Sequence, residues 1–226
     1  ITMLLEKHER VHIIMADANH DPVSQVWLRE WLAVLYEDEP RVTVDTSPSP
    51  YNAYEFGKVA IFAHHGHKRG VNNIAEVFAA QFRELFGRTK YAYAHIGHRH
   101  HVDIKENNLM IVEQHRTLAA ADAYTARGGW ISGRDAQVIT YHKEYGEVGR
   151  VTISYDAIAN AHAASNQLTI IPVLQHVVGR NCCMDLLKES SASLAALAFI
   201  ALLYMYSSNS CWVICLRSSR IPPLLS

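Results

Sequence analysis

Hydrophobic and polar positions follow two periods along this chain. Residues 12–15 form a short apolar run that stops at Ala16-Asp17-Ala18-Asn19-His20-Asp21-Pro22, the pattern of a strand running into a polar loop. Beyond Ser24, a capping residue, Val26, Trp27, Trp31, Leu32, Val34 and Leu35 fall at helical spacing and predict a helix to about Tyr36. Residues 41–45 alternate as a short strand, and Ser47-Pro48-Ser49-Pro50 is a loop. Residues 58–63 predict a second strand, ending at His64-His65-Gly66-His67. Ile74, Val77, Phe78, Phe82, Leu85 and Phe86 predict one helix over 71–86. A third strand over 91–96 ends at Gly97-His98-Arg99-His100-His101, and strand-like runs follow at 109–113, 136–142 and 149–155. Gly128-Gly129-Trp130 and Ser132-Gly133-Arg134 lack a phosphate-loop pattern and predict a hairpin connection. Helices early and strands late predict an α/β fold.

The 226 residues are ample for a sizeable core, and 49% hydrophobic with 19% charged residues excludes a largely disordered chain. A formal charge of −1 gives no global basic excess, so nucleic acid is not indicated as a partner. Only six charged residues (Arg180, Asp185, Lys188, Glu189, Arg217 and Arg220) lie beyond residue 157, together with all four cysteines. The chain therefore divides into a charged portion, 1–156, and a low-charge hydrophobic tail, 157–226, expected to be frameshifted or non-native, with a hydrophobic anchor or a genuine extension as the alternatives. The apolar run at 194–206 is shorter than the roughly 20 residues a membrane helix needs. Cys182-Cys183 and Cys211-x3-Cys215 lack zinc-finger spacing. No signal peptide is visible, the first residue is Ile1, and the expected location is cytoplasmic.

Histidine changes this picture, at 14 residues in the chain. Three strand-like runs each end in a histidine loop, and in open α/β sheets ligands gather beyond the carboxyl ends of strands. Asn, His and Asp supply the N and O donors that suit borderline divalent metals.

Ala18-Asn19-His20-Asp21, His64-His65-Gly66-His67 and Gly97-His98-Arg99-His100 occur in order, each after a strand. This arrangement resembles the later motifs of the calcineurin-like metallophosphoesterases: Gly-Asn-His-Asp/Glu, a strand-end His followed by Gly, and Gly-His-x-His. The resemblance covers residues 8–156. It implies a β-sandwich flanked by helices, and hydrolysis of a phosphomonoester or phosphodiester by two divalent ions, manganese foremost, with iron or zinc as options. It implies that Asn19, His65 and His98 hold one ion and His100 the other. His20 would protonate the leaving oxygen, and Asp21 would hold the His20 imidazole. A nuclease is among the enzymes this pattern covers.

The chain departs from the family pattern in two ways. Neither the family's Asp-x-His nor its Gly-Asp precedes Asn19, and Asp17 is too close to Asn19 to bridge two metals. Ala18 stands where the family has Gly. The expectation is a partial phosphoesterase sandwich lacking its N-terminal portion, inactive as it stands. The alternative is a non-catalytic remnant that binds a metal or a partner.

The remaining residues have plainer readings. His65 is preferred to His64 as the ligand because it directly precedes Gly66. His67 and His101 face either the substrate or solvent. His95 reads as a packed strand residue, and His8, His12, His115 and His142 belong to no constellation. Lys68, Arg69, Arg99 and Arg134 are candidates for steering a phosphate, or simply solvated charges.

Overall fold

The computed structural model describes residues 1–20, 22–120, 127–129, 131–165, 199–205 and 211–217. The elements run α1 (Thr2–Leu5), β1 (Arg10–Met15), α2 (Pro22–Leu35), β2 (Val42–Val44), β3 (Asn52–Phe56), β4 (Val59–His64), α3 (Ile74–Gln81), α4 (Arg83–Arg88), β5 (Tyr91–Ile96), β6 (Asp103–Glu106), β7 (Ile111–Gln114), β8 (Asp135–His142), β9 (Gly146–Ser154), α5 (Tyr155–Ser165), β10 (Phe199–Met205) and β11 (Cys211–Arg217). Two sheets result, in the orders β2-β1-β11-β10-β8-β9 and β3-β4-β5-β7-β6.

Side-chain alternation along the strands determines how these sheets stack. Ile14, Ala16, Ile139 and Tyr141 of the first sheet meet Val59, Ile61 and Ala63 of the second, so the two sheets pack face to face. The opposite face of the second sheet, with Ala60, Phe62, Ala94, Ile96 and Val112, receives Ile74, Ala75 and Phe78 of α3. The opposite face of the first, with Val11, Ile13, Met15 and Val138, receives Leu4 and Leu5 of the α1 segment and Leu32 of α2. The fold is therefore mixed α/β, with sheets flanked by helices. β4 is buried along its whole length, which is why its sequence reads as a continuous apolar run.

Several expectations are revised. The helix expected over 71–86 is two helices, because Phe82 leaves helical geometry at φ −109°, ψ 45°. The stretch 128–134 is not a hairpin connection, because the strands on either side of it in the chain, β7 and β8, lie in different sheets. β3 and β6 were not legible as strands. Phe199–Met205, within the apolar run of the tail, is a strand between β8 and β11, and β11 pairs antiparallel with β1. Among the described residues no helix is long and apolar enough to cross a membrane.

Helix α2 turns its apolar positions the other way from an ordinary amphipathic helix. Trp27 is 73% and Trp31 57% exposed, whereas Gln25 and Arg29 are buried. The inward polar stripe grips the loop after β1. The Ala18 amide donates to Gln25 Oε1 at 2.6 Å, Gln25 Nε2 donates to the Ala16 carbonyl at 3.2 Å, and Arg29 pairs with Asp17 at 3.4 Å. These bonds satisfy the backbone of that loop, where a buried unpaired amide would cost about 1–3 kcal/mol.

Candidate metal centre

β1, β4 and β5 end at one edge of the sandwich, and the loops that follow them bring Asn19, His65 and His98 together. β4 and β5 are parallel neighbours, with His64 opposite Ile96, so their loops leave the sheet side by side. The Gly97 amide donates to the His65 carbonyl at 2.9 Å. Gly66 has φ +102°, and a Cβ there would lie 2.8 Å from the Gly97 carbonyl oxygen, so only glycine lets the two loops touch. His98 and His100 themselves have positive φ, 71° and 58°. Side chains other than glycine adopt this conformation at a cost, and it aims both rings out of the Gly97 turn.

His65 Nε2 lies 3.0 Å from Asn19 Oδ1 and 3.2 Å from His98 Nδ1. The amide oxygen only accepts, so it claims the proton on Nε2; a second bond to His98 Nδ1 then finds that proton already used. A cation in place of the proton satisfies all three donors at once. The separations are close to the roughly 3.3 Å expected between tetrahedral donors with bonds of about 2.0–2.1 Å. The residues present therefore fit a divalent ion.

The other rings surround this contact. The His20 ring stacks toward His98 at 6.4 Å, and His67 lies 5.4 Å from His65 and 6.2 Å from His98 between ring centroids. His67 Nδ1 is buried with no hydrogen-bond partner among the described residues. His100 is near enough for its charge to act on both His65 and His98. Asp21 lies outside the described residues.

His64 points to the opposite face of β4. Its ring stacks on Tyr51 at 4.6 Å and on His67 at 5.6 Å, and its Nδ1 accepts the Gly66 amide at 2.8 Å, so it braces the loop from behind the cluster. Arg134 gives its guanidinium to the Leu118 carbonyl and stacks over Tyr155, which removes it from the phosphate-steering candidates.

Burial and crowding keep these imidazoles neutral. Burial, reinforced by His98, His67, His64 and His100, pushes His65 from 6.5 down to about 3. Burial, then His67 and Lys68, lowers His64 to about 4. Burial, then His67, His20, His100 and Arg99, lowers His98, and burial followed by Lys68 lowers His67 against the pull of Asp17. Neutral rings keep their lone pairs available to a cation at neutral pH.

A second group was not legible in the sequence. His95, Glu113 and His115 are all buried and offer donor atoms within 4.8 Å of one another, so this group could also hold a metal ion. His95 and Glu113 face each other across β5 and β7, a register that the sequence alone does not give. His95 is the packed strand residue expected, but His115 is not isolated.

No family model matches this chain, and no curated protein matches it. Among solved structures it is similar to a predicted phosphoesterase from Streptococcus pneumoniae, at 15% identity and a TM-score of 0.29, covering 64% of this chain and 97% of that one. It is also similar to a single mutant of Vps29 from Entamoeba histolytica, at 10% identity and a TM-score of 0.32, covering 91% of this chain and 98% of that one. Wild-type Vps29 from the same organism, complexed with zinc, gives 9% identity, a TM-score of 0.31 and the same coverages. Likenesses this distant assign neither activity nor site, and the fold class rests on the layers and sheet orders above.

Proposed function

We propose that this chain holds divalent metal at the loops after β1, β4 and β5 and that the site is that of a phosphoester hydrolase, with turnover in this chain low because the family's Asp-x-His and Gly-Asp ligands do not precede Asn19. The placing of Asn19 Oδ1 and His98 Nδ1 at 3.0 and 3.2 Å from His65 Nε2 carries this reading. In this reading Asn19, His65 and His98 hold one ion and His100 the other. Manganese is the first choice, with iron or zinc as alternatives among metals that take N and O donors. Bound divalent metal supplies charge that polarises a phosphoryl oxygen and acidifies a water.

The chain's own residues do the rest. In this reading His20, exposed and 6.4 Å from His98 between ring centroids, gives a proton to the departing oxygen. Asp21 holds the His20 imidazole in this reading. The exposed rim residues Lys68, Arg69 and Arg99 offer positive charge to an incoming phosphate. Arg29 holds Asp17, the carboxylate beside the cluster, which favours a second reading in which metal is bound without turnover.

One experiment separates the two. The purified chain is loaded with manganese and assayed on bis-p-nitrophenyl phosphate and p-nitrophenyl phosphate, with bound metal counted in parallel. Metal with hydrolysis that is lost in His98→Ala supports the enzyme. Metal without hydrolysis supports the binding module. A chain that takes up no metal at these loops overturns both.

A further inference from the structure

The gap between the two sheets is apolar over most of its area, yet at one end it encloses His95, Glu113, His115 and Tyr141, each at most 3% exposed. None of these belongs to the strand-end cluster. His95 Nδ1 and His115 Nε2 are 2.9 Å apart, and His115 Nδ1 is 3.7 Å from Glu113 Oε1. Tyr141 Oη lies 2.8 Å from His95 Nε2, the nitrogen that faces away from His115.

We propose that His95, Glu113 and His115 form a second metal site, a structural one that binds zinc or a similar borderline divalent ion and ties β5 to β7. Two imidazoles and a carboxylate are a donor set that zinc accepts with bonds of about 2.0–2.2 Å. Ligation through His95 Nδ1 and His115 Nε2 needs their contact opened by a few tenths of an ångström and a Glu113 oxygen swung from the Nδ1 side of His115 toward that pair, within a group whose donor atoms all lie within 4.8 Å of one another. Tyr141 then accepts the proton on His95 Nε2, which leaves Nδ1 as the ligating nitrogen. That is the outer-shell hydrogen bond typical of ligating histidines.

The local charge also suits a cation. Arg150 pairs with Glu113 through both terminal nitrogens, but it is shared with Glu147, at 2.9 and 3.1 Å, and with Gln137 at 2.9 Å. Two carboxylates around one guanidinium leave a net negative charge, and Arg150 keeps Glu147 when Glu113 gives an oxygen to the ion. Because Tyr141 lies on β8, the same hydrogen bond links the metal to the opposite sheet.

The test uses the full chain with His65→Ala and His98→Ala, which silences the strand-end donors, titrated with cobalt(II). One cobalt per chain is expected, with visible absorption bands of four- or five-coordinate cobalt, displaced by zinc. His115→Gln on that background abolishes the bands. Tyr141→Phe, a change to a positioning residue, weakens cobalt binding by roughly 10–100-fold while leaving circular dichroism unchanged. Absence of cobalt, or bands that survive His115→Gln, overturns the proposal. If the background variant does not fold, the comparison is zinc per wild-type chain against zinc per Glu113→Gln chain. A drop of one ion supports the buried site, and equal counts overturn it. Loss of metal in His98→Ala alone reports on the strand-end centre, so the two readings fail separately.

Discussion

His65 Nε2 and Asn19 Oδ1 lie 3.0 Å apart although 46 residues separate them in the chain. β1 belongs to one sheet and β4 to the other, so this contact exists only because the two sheets end at a common edge. Asn19 is exposed and His65 is buried, so their removal has different consequences. Asn19→Ala is expected to weaken manganese binding in calorimetric titration while leaving the melting temperature unchanged, since exposed substitutions stay within about 0.5 kcal/mol. His65→Ala should lower both. Unchanged metal affinity in Asn19→Ala would remove Asn19 from the ligand set.

Gly66 is the residue on which the approach of the two loops depends. With φ +102° and the Gly97 carbonyl 2.8 Å from the built Cβ, Gly66→Ala must either strain the backbone or push the β5 loop away. A loss of about 1–3 kcal/mol in chemical denaturation is expected, with weaker metal binding. Gly87→Ala, within α4 where no atom lies within 4 Å, is the control: it should raise stability by up to about 1 kcal/mol and leave metal binding unchanged.

Arg150 compensates a carboxylate that is only 3% exposed at the side chain. In metal-free protein, Arg150→Met strands Glu113 as a buried unpaired charge and should cost about 3–5 kcal/mol. Adding Glu113→Gln should recover much of that loss, because the charge needing a partner is gone. A double-mutant cycle by urea denaturation measures the coupling, and purely additive effects would refute it.

Trp27 and Trp31 look like core residues by type and are not core residues here. Their exposure predicts that Trp27→Gln or Trp31→Gln changes the denaturation midpoint very little, within about 0.5 kcal/mol. Gln25→Leu, on the inward stripe, removes two hydrogen bonds to the loop before Asn19 and should destabilise by about 1–3 kcal/mol. The difference in tryptophan fluorescence between wild type and each variant gives a direct check, the lost emission lying near that of solvated indole.

Depressed histidines give the metal-free chain a definite acid sensitivity. His64 falls to about 4, His65 and His115 to about 3, and burial also lowers His95. In the unfolded chain these groups return to about 6.5. Between the folded and unfolded values the unfolded state binds more protons, so stability rises with pH through that window and is flat above about 6.5. Denaturation of chelator-treated protein should therefore show falling stability from about pH 6.5 toward about pH 4, with a shallower fall in His115→Gln. A flat profile over that range would contradict the buried, neutral state of these rings.

The sequence by itself determined the elements whose period is strong and the chemistry of the loops. The apolar runs at β1, β4 and β5 and the histidines that follow them were legible because a strand's neighbours in sequence determine where its loop begins. The preference for His65 over His64 rested on a local signal, the Gly66 that directly follows His65. Tertiary structure alone decided the rest. The direction of α2 depended on which partner its face would meet, and the inward face is the one that bonds to the Ala16 and Ala18 backbone, not the one with the two tryptophans. The meeting of His95 with Glu113 and His115 depended on the register between β5 and β7, and a strand's sequence carries no record of the neighbour it will pair with.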